Sequence, residues 1–198
     1  MTVLLTLADA EAYLDVTSDS GGPIDTLVQT CRDAAQDAFD QYTNRRLREA
    51  VYTHQMDGNG LHMLVARQFP IVSISSIKVD PAWVFGSGTL VPSTDYIVEN
   101  DTLLLKKTVW EQGIRNYQMV YTAGYGGAVP VPPDIVFAMK LLVEFLYHGR
   151  DDQRLGIQAR GKVGETLTFL EDVPKTIWTL IDQYERKNAI AKAQAAGG

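Results

Sequence analysis

Tyr117-Gln118-Met119-Val120-Tyr121-Thr122, then Ala123-Gly124-Tyr125-Gly126-Gly127, then Pro130, Pro132-Pro133 and Asp134-Ile135, reads as strand, glycine turn, extended prolines and helix start. Tyr117, Met119 and Tyr121 alternate with the period of a half-buried strand, and the three glycines that follow admit a positive φ that other residues resist. Pro133 suits the first turn of a helix, where its missing N–H has no partner to lose, and Asp134 favours the same end through the helix dipole. The helix from Ile135 to Tyr147 is apolar on most sides, which predicts a place inside a core or against another subunit.

Upstream, Thr6 followed by Asp9 resembles a capping box and starts a helix over 6–14. Asp19-Ser20-Gly21-Gly22 breaks it. Pro23 then opens a helix over 23–43, whose apolar positions Ile24, Leu27, Val28, Cys31, Ala34, Ala35, Ala38, Phe39 and Tyr42 repeat at three-and-four spacing. Its other face, with Asp25, Gln29, Arg32, Asp33, Gln36, Asp37 and Asp40, is predicted to be solvated, with a partner site as the second reading. Cys31, the only cysteine, is predicted to be a small buried residue.

Between residues 50 and 122 the pattern changes to short β-like runs at 51–56, 61–65, 71–79, 96–98, 102–105 and 117–122. Asp57-Gly58-Asn59-Gly60 is a hairpin signal, and Asn100-Asp101 joins two more short strands. The excursion from Asp80 to Thr94 carries Trp83, Val84 and Phe85 in a loop-like context. It reads either as a contact finger or as aromatics folded back on the sheet. Downstream, a polar segment over 149–168 interleaves Arg150, Arg154, Arg160 and Lys162 with acidic residues, and a last helix over 174–187 puts Ile177, Trp178, Ile181 and Tyr184 on its apolar side. The alanine-rich 188–198 reads as a flexible tail. The expected fold class is α+β: a small bundle of N-terminal and C-terminal helices with an antiparallel β insertion between the second helix and the third, at 133–148. All of 1–187 is read as a single domain.

The 198 residues are 45% hydrophobic and 21% charged, ordinary for a globular chain whose fold would bury roughly 70% of its unfolded surface. No apolar run reaches the roughly 20 residues that span a bilayer, and the N-terminus lacks a basic region followed by a long apolar stretch. An unprocessed cytoplasmic chain without membrane contact is expected. A net charge of −6 and a pI near 5.0 argue against a protein that wraps nucleic acid, which needs clustered lysine and arginine, and leave contact with DNA open.

Motifs of chemistry fail on inspection. Gly156 to Lys162 matches the first seven positions of a P-loop, but Val163 stands where the Mg²⁺-binding Ser or Thr belongs, and the segment follows a helix where a strand is needed. Asp57 to Gly60 lacks the later oxygen ligands of a calcium loop. His54 and His62 flank the expected hairpin and read as a cross-strand or surface pair, with His148 elsewhere, at no metal-ligand spacing. No catalytic residue, cofactor site or metal site is assigned.

"VYTAGYG", a short gap, "VPPDI" and an apolar helix ending His148-Gly149-Arg150 resemble the signature of the head-tail connector, or adaptor, proteins of tailed bacteriophages. Leu5 to Leu14 is similar to that family's short first helix, and a second helix ends near Gln41-Tyr42-Thr43-Asn44-Arg45. Phe69-Pro70-Ile71-Val72-Ser73-Ile74 before a strand and Val173-Pro174 before a last helix ending Tyr184-Glu185-Arg186 complete the order. The resemblance implies a structural virion protein, assembled in the host cytoplasm, that docks as a commonly dodecameric ring beneath the portal at the head-tail junction. The ring would meet the portal and the next neck or tail protein and extend the DNA channel without sequence-specific binding. Twelve copies at −6 each would carry about −72, a bore that repels DNA more than it grips it. In that family the C-terminal region reaches toward the portal, which implies contacts at Trp178, Ile181 and Tyr184. Trp83, Phe85, Arg154, Arg160 and Lys162 are then candidates for the lumen or tail side. The alternatives are another head- or tail-completion protein and, more remotely, a small enzyme.

Overall fold

The structure, a computed structural model, describes residues 3–99, 101–151 and 173–186. It is α+β. In chain order the elements are α1 (Leu7–Leu14), α2 (Pro23–Thr43), β1 (Ala50–Gly58), β2 (Met63–Val65), β3 (Ile71–Val79), β4 (Tyr96–Glu99), β5 (Leu103–Lys106), β6 (Gly113–Ala123), α3 (Pro133–Asp151) and α4 (Lys175–Ile181). The described residues divide into two compact units. One holds all six strands, from Asn44 to Pro130, together with Glu185 and Arg186; the other holds Val3–Thr43 and the described part of Val131–Tyr184.

In the strand unit, β6 lies between β1 and β3 and pairs antiparallel with both, and β5 lies between β2 and β4 in a second antiparallel sheet. The quoted strand is therefore the centre of the larger sheet. Its alternating Tyr117, Met119 and Tyr121 are fully buried in a core that also takes Tyr52 and Met56 from β1, Ile77 from β3 and Leu104 from β5. The alternation arises because successive side chains on a strand point to opposite faces. β4 and β5 form the expected antiparallel pair, with Asp101 at φ +54 in the turn between them.

The hairpin expected at Asp57 to Gly60 does not form. β1 pairs with β6, and β2 pairs with β5, so this turn carries the chain from one sheet to the other. Distant residues have taken up its polar groups: Gly58 N–H donates to Asn116 Oδ1 at 2.8 Å, Gly60 N–H to Trp110 O at 2.7 Å, and Trp110 N–H to Leu61 O at 2.7 Å. The turn residues do specify a reversal, but long-range pairing chose the partner. The expected His54/His62 pair fails for the same reason. His54 lies beside Tyr52 and Tyr121, while His62 Nδ1 lies 3.2 Å from Lys106 O.

In the helical unit, Thr6 caps α1 by accepting the Asp9 N–H at 3.1 Å, and Pro23 and Pro133 each occupy the first position of their helix. The helix α3 buries Ile135, Ala138, Met139, Leu142 and Val143, spaced at i, i+3, i+4, i+7 and i+8. Cys31 is buried, as its neighbours suggested.

Asp25 and Gln36 depart from the solvated face predicted for α2, because both are buried. The Asp25 carboxylate accepts the N–H of Gly21 at 2.7 Å, the N–H of Asp19 at 3.0 Å and the Ser18 hydroxyl at 2.9 Å. These donors, the Gly21 N–H foremost, hold its carboxyl at about 2. Glu11 of α1 reaches the same group. Burial first, and then its hydrogen bond to Asp25, push its carboxyl above the usual carboxylate range. Asp25, depressed in the fold, contributes stability that is present above 3.8 and lost as pH falls toward about 2. Glu11, raised in the fold, contributes stability that is present below 4.5 and lost as pH rises through its higher folded value. Glu11→Gln, a permanently neutral donor, is therefore expected to raise the melting temperature at about pH 8 and to change it little at about pH 4. Thermal denaturation across this range checks the expectation, and a variant that shifts the melting temperature equally at both ends would overturn it.

Candidate functional site

The excursion from Asp80 to Thr94 is built around one carboxylate. Asp80 Oδ1 accepts the Ala82 N–H at 2.8 Å, and Oδ2 accepts the N–H of Phe85 at 2.8 Å and of Val84 at 3.1 Å. Those backbone donors, Ala82 first, hold the Asp80 carboxyl below the usual carboxylate range. Lys78 Nζ donates to Phe85 O at 2.8 Å from the adjoining strand. The wrap forces positive φ at two bulky residues, +62 at Trp83 and +51 at Phe85, conformations that persist only where surrounding bonds over-determine them.

The two readings left open for this loop divide between neighbouring residues. Phe85 folds back and is buried, so the expectation that it offers a surface contact does not match its place in the subunit: the Asp80 wrap turns its ring inward. Trp83 keeps 57% of its surface exposed, with its indole N–H donating to Ile114 O at 2.9 Å, and Val84 beside it is 78% exposed. Ile114 itself is 74% exposed. An indole pinned at one edge with its ring in water, next to two exposed aliphatic side chains, is an apolar patch on a constrained loop. That is the form in which aromatic anchors are presented to partners. The return of the loop runs along the outer edge of β3, where Val91 N–H donates to Ile77 O at 2.8 Å, and so covers part of an edge strand.

The helical unit places the other expected contact residues. Trp178 of α4 stacks on Tyr42 at 4.8 Å between ring centroids and meets Phe39 edge-on at 6.1 Å. Ile181 is fully buried, so on the isolated chain it is core rather than contact surface; its place on the inner side of α4, a seven-residue helix packed on α2 and α3, is the reason. Tyr184 donates its hydroxyl to the Asp134 carboxylate, 2.7 and 2.8 Å from its two oxygens, at the first turn of α3, and Gln183 bonds the same carboxylate. Trp178 and Tyr184 remain part-exposed. Arg154, Arg160 and Lys162, and with them the P-loop-like Gly156 to Val163, lie outside the described residues, as does the tail over 188–198.

Among the described residues no group of three His, Cys, Asp or Glu side chains is placed to hold a metal ion, and no helix is long and apolar enough to cross a membrane. The side chains that gather at distinctive positions are aromatic and aliphatic groups on a constrained loop.

A family model described as "Head completion protein" matches residues 3–187, spanning both units. Among solved structures, a chain from the neck of an empty gene transfer agent particle, computed with C6 symmetry, is 17% identical with a TM-score of 0.59, covering 92% of this chain and 89% of that one. A chain from the virion of the native gene transfer agent particle is 16% identical with a TM-score of 0.59, covering 93% and 92%. At these identities the likeness is one of fold. No curated protein matches the chain.

Proposed function

We propose, because this chain belongs to the head completion protein family, that it is a structural protein of a tailed-phage-like virion acting at the junction of head and tail. The observation that carries the reading is the family match over 3–187, which takes in the helical and the strand unit alike and supports their working as one connector. In this reading copies of the chain close into a ring beneath the portal, with the next neck or tail protein on the far side, and the DNA channel runs through the middle. A ring needs a head-to-tail interface that closes by rotation. The C6 symmetry with which the neck of the empty gene transfer agent particle was computed is the kind of symmetry such closure produces. A ring of twelve is the expected count.

The role calls for contacts rather than bond chemistry, and repeated modest contacts around a ring give avidity without any single strong site. Trp83 and Val84 are assigned to the lumen or tail side, and the exposed parts of Trp178 and Tyr184 to the portal side. Phe85 and Ile181 support those surfaces from beneath. Arg154, Arg160 and Lys162 are assigned by sequence to the same lumen or tail side as Trp83. A net charge of −6 per copy suits a channel through which DNA must slide.

Electron microscopy of particles made by the source phage or prophage with this gene deleted tests the proposal. DNA-filled or leaking heads beside complete, unattached tails are expected. Normally tailed particles would overturn it.

A further inference from the structure

We propose that Asn59-Gly60 is a latent site of self-modification, converting to aspartate and isoaspartate, which the fold holds closed through Trp110 and which reacts when that hold is lost. The reaction is intramolecular and needs only water and a base besides the chain itself.

Asn59-Gly60 is the only Asn-Gly step in the chain, and Asp57-Gly58 just before it is the only Asp-Gly step. Such steps react because glycine has no Cβ to shield its amide nitrogen or to restrict its approach. The Gly60 nitrogen gives its proton to a base and bonds to Asn59 Cγ, the bond from Cγ to Nδ2 breaks, and ammonia leaves. Water then opens the resulting succinimide ring at either carbonyl, giving aspartate or isoaspartate with nothing oxidised or reduced. Asn59 and Gly60 are both exposed, so water and base reach them.

The fold ties down both reacting groups. Gly60 N–H, the proton that must be lost, is donated to Trp110 O at 2.7 Å, and Trp110 N–H returns a bond to Leu61 O at 2.7 Å. The Asn59 amide is held at both ends: Oδ1 accepts the Leu61 N–H at 3.0 Å, and Nδ2 donates to Met63 O at 2.8 Å. Attack requires the Gly60 N–H to leave Trp110 O, and loss of ammonia requires Nδ2 to leave Met63 O, so both bonds are given up along the way. Trp110 is fully buried, with its indole N–H on His62 O and Leu104 O, which keeps the acceptor in place. The neighbouring Asp57-Gly58 step is shut by a buried partner. Gly58 N–H donates to Oδ1 of the buried Asn116 at 2.8 Å, and Asp57 Oδ1 accepts the Arg115 N–H at 2.6 Å.

Reaction therefore runs through opening of the turn, at a rate set by the fraction of time the Gly60–Trp110 pair is broken. The product does not close as the parent did. Isoaspartate adds a carbon to the main chain in the turn between the two sheets, and either product puts a carboxylate oxygen where the Nδ2 donor faced Met63 O. A subunit that has opened is thereby marked covalently, whereas one kept closed stays as synthesised.

Peptide mapping by mass spectrometry tests the site on the full-length protein, incubated at one mildly alkaline pH with and without denaturing urea. Conversion of Asn59, with isoaspartate counted by enzymatic methylation, is expected to be slower in the folded protein by roughly tenfold or more. In the wild type, urea below the unfolding transition should raise conversion in step with deuterium exchange at the Gly60 amide. Trp110→Phe, which leaves His62 O and Leu104 O without their donor, is expected to convert Asn59 several-fold faster than the wild type when both are folded by circular dichroism, and no faster when both are unfolded. Equal conversion in the folded and unfolded wild type would overturn the closure, and an Asn59 that stays intact in urea would overturn the site itself. A folded Trp110→Phe variant that converts no faster than the wild type, or wild-type conversion that ignores Gly60 exchange, would show that Trp110 does not hold the turn and would sink the proposal.

Discussion

Gly124→Ala is expected to destabilise the strand unit by roughly 3 kcal/mol or more. Gly124 has φ +117, a conformation that strains any residue with a Cβ. It also leaves no room for one. A Cβ built there would lie 2.3 Å from Arg48 O, 2.5 Å from Arg48 C and 2.6 Å from Glu49 N. All three atoms are backbone, so no rotamer change relieves the clash. Nor can the opposing segment move away, because it is tied on both sides: Tyr125 N–H donates to Leu47 O at 2.8 Å and Glu49 N–H to Tyr125 O at 2.8 Å, while Gly124 N–H donates to Pro70 O at 2.9 Å. Gly127→Ala is the control. Its Cβ would meet the Glu49 carboxylate at 2.2 Å, but that is the end of a flexible side chain, and moving it loses the 2.8 Å bond to Ala128 N–H. A cost of about 1 kcal/mol is expected there. Denaturant melts of the two variants check the contrast, and a Gly124→Ala variant as stable as the Gly127→Ala variant would show that the close approach can relax.

Trp110→Ala is expected to cost roughly 3–5 kcal/mol, the range for truncating a large buried aromatic. Trp110 is fully buried, edge-on to Tyr117 at 5.2 Å and 83°. Its indole N–H is shared between His62 O at 3.0 Å and Leu104 O at 3.1 Å, and its backbone closes the turn at residues 60 and 61. The side chain thus joins the connection out of β1 to the middle strand of the second sheet. Trp110→Phe keeps most of the packing but leaves two carbonyls without that donor, at an expected cost of roughly 1–3 kcal/mol. Hydrogen exchange should place the loss from both variants at β2 and β5. Equal costs for the Ala and Phe variants would assign the stabilisation to the hydrogen bonds rather than to packing.

Much of the fold is legible because it is written locally. Pro23 and Pro133 begin helices since a residue without an N–H costs nothing there, and β3 runs over Ile71–Val79 as its pattern predicts. Trp110 carries no signal in the sequence, because a single tryptophan between a lysine pair and an acidic residue has no period. The hairpin expected at Asp57 to Gly60 fails because turn chemistry encodes a reversal but not the strand that will receive it. Asp25 departs from its expected solvated face because helix periodicity says which side is apolar, but not that Gly21, Asp19 and Ser18 will aim donors at one carboxylate on the other.

Sequence by itself determined the segments of helix and strand, the glycine turn after β6, the acid excess and the resemblance in which the family match has its basis. Each depends on residues within a few positions of one another or on simple counts. Tertiary structure alone decided strand partners, the inward turn of Phe85 against the outward ring of Trp83, and the meeting of His54 with Tyr121 across β1 and β6. His54 and Tyr121 stand 67 positions apart in the chain, and what they do to one another is set by distance and burial, quantities that exist only once the strands have paired.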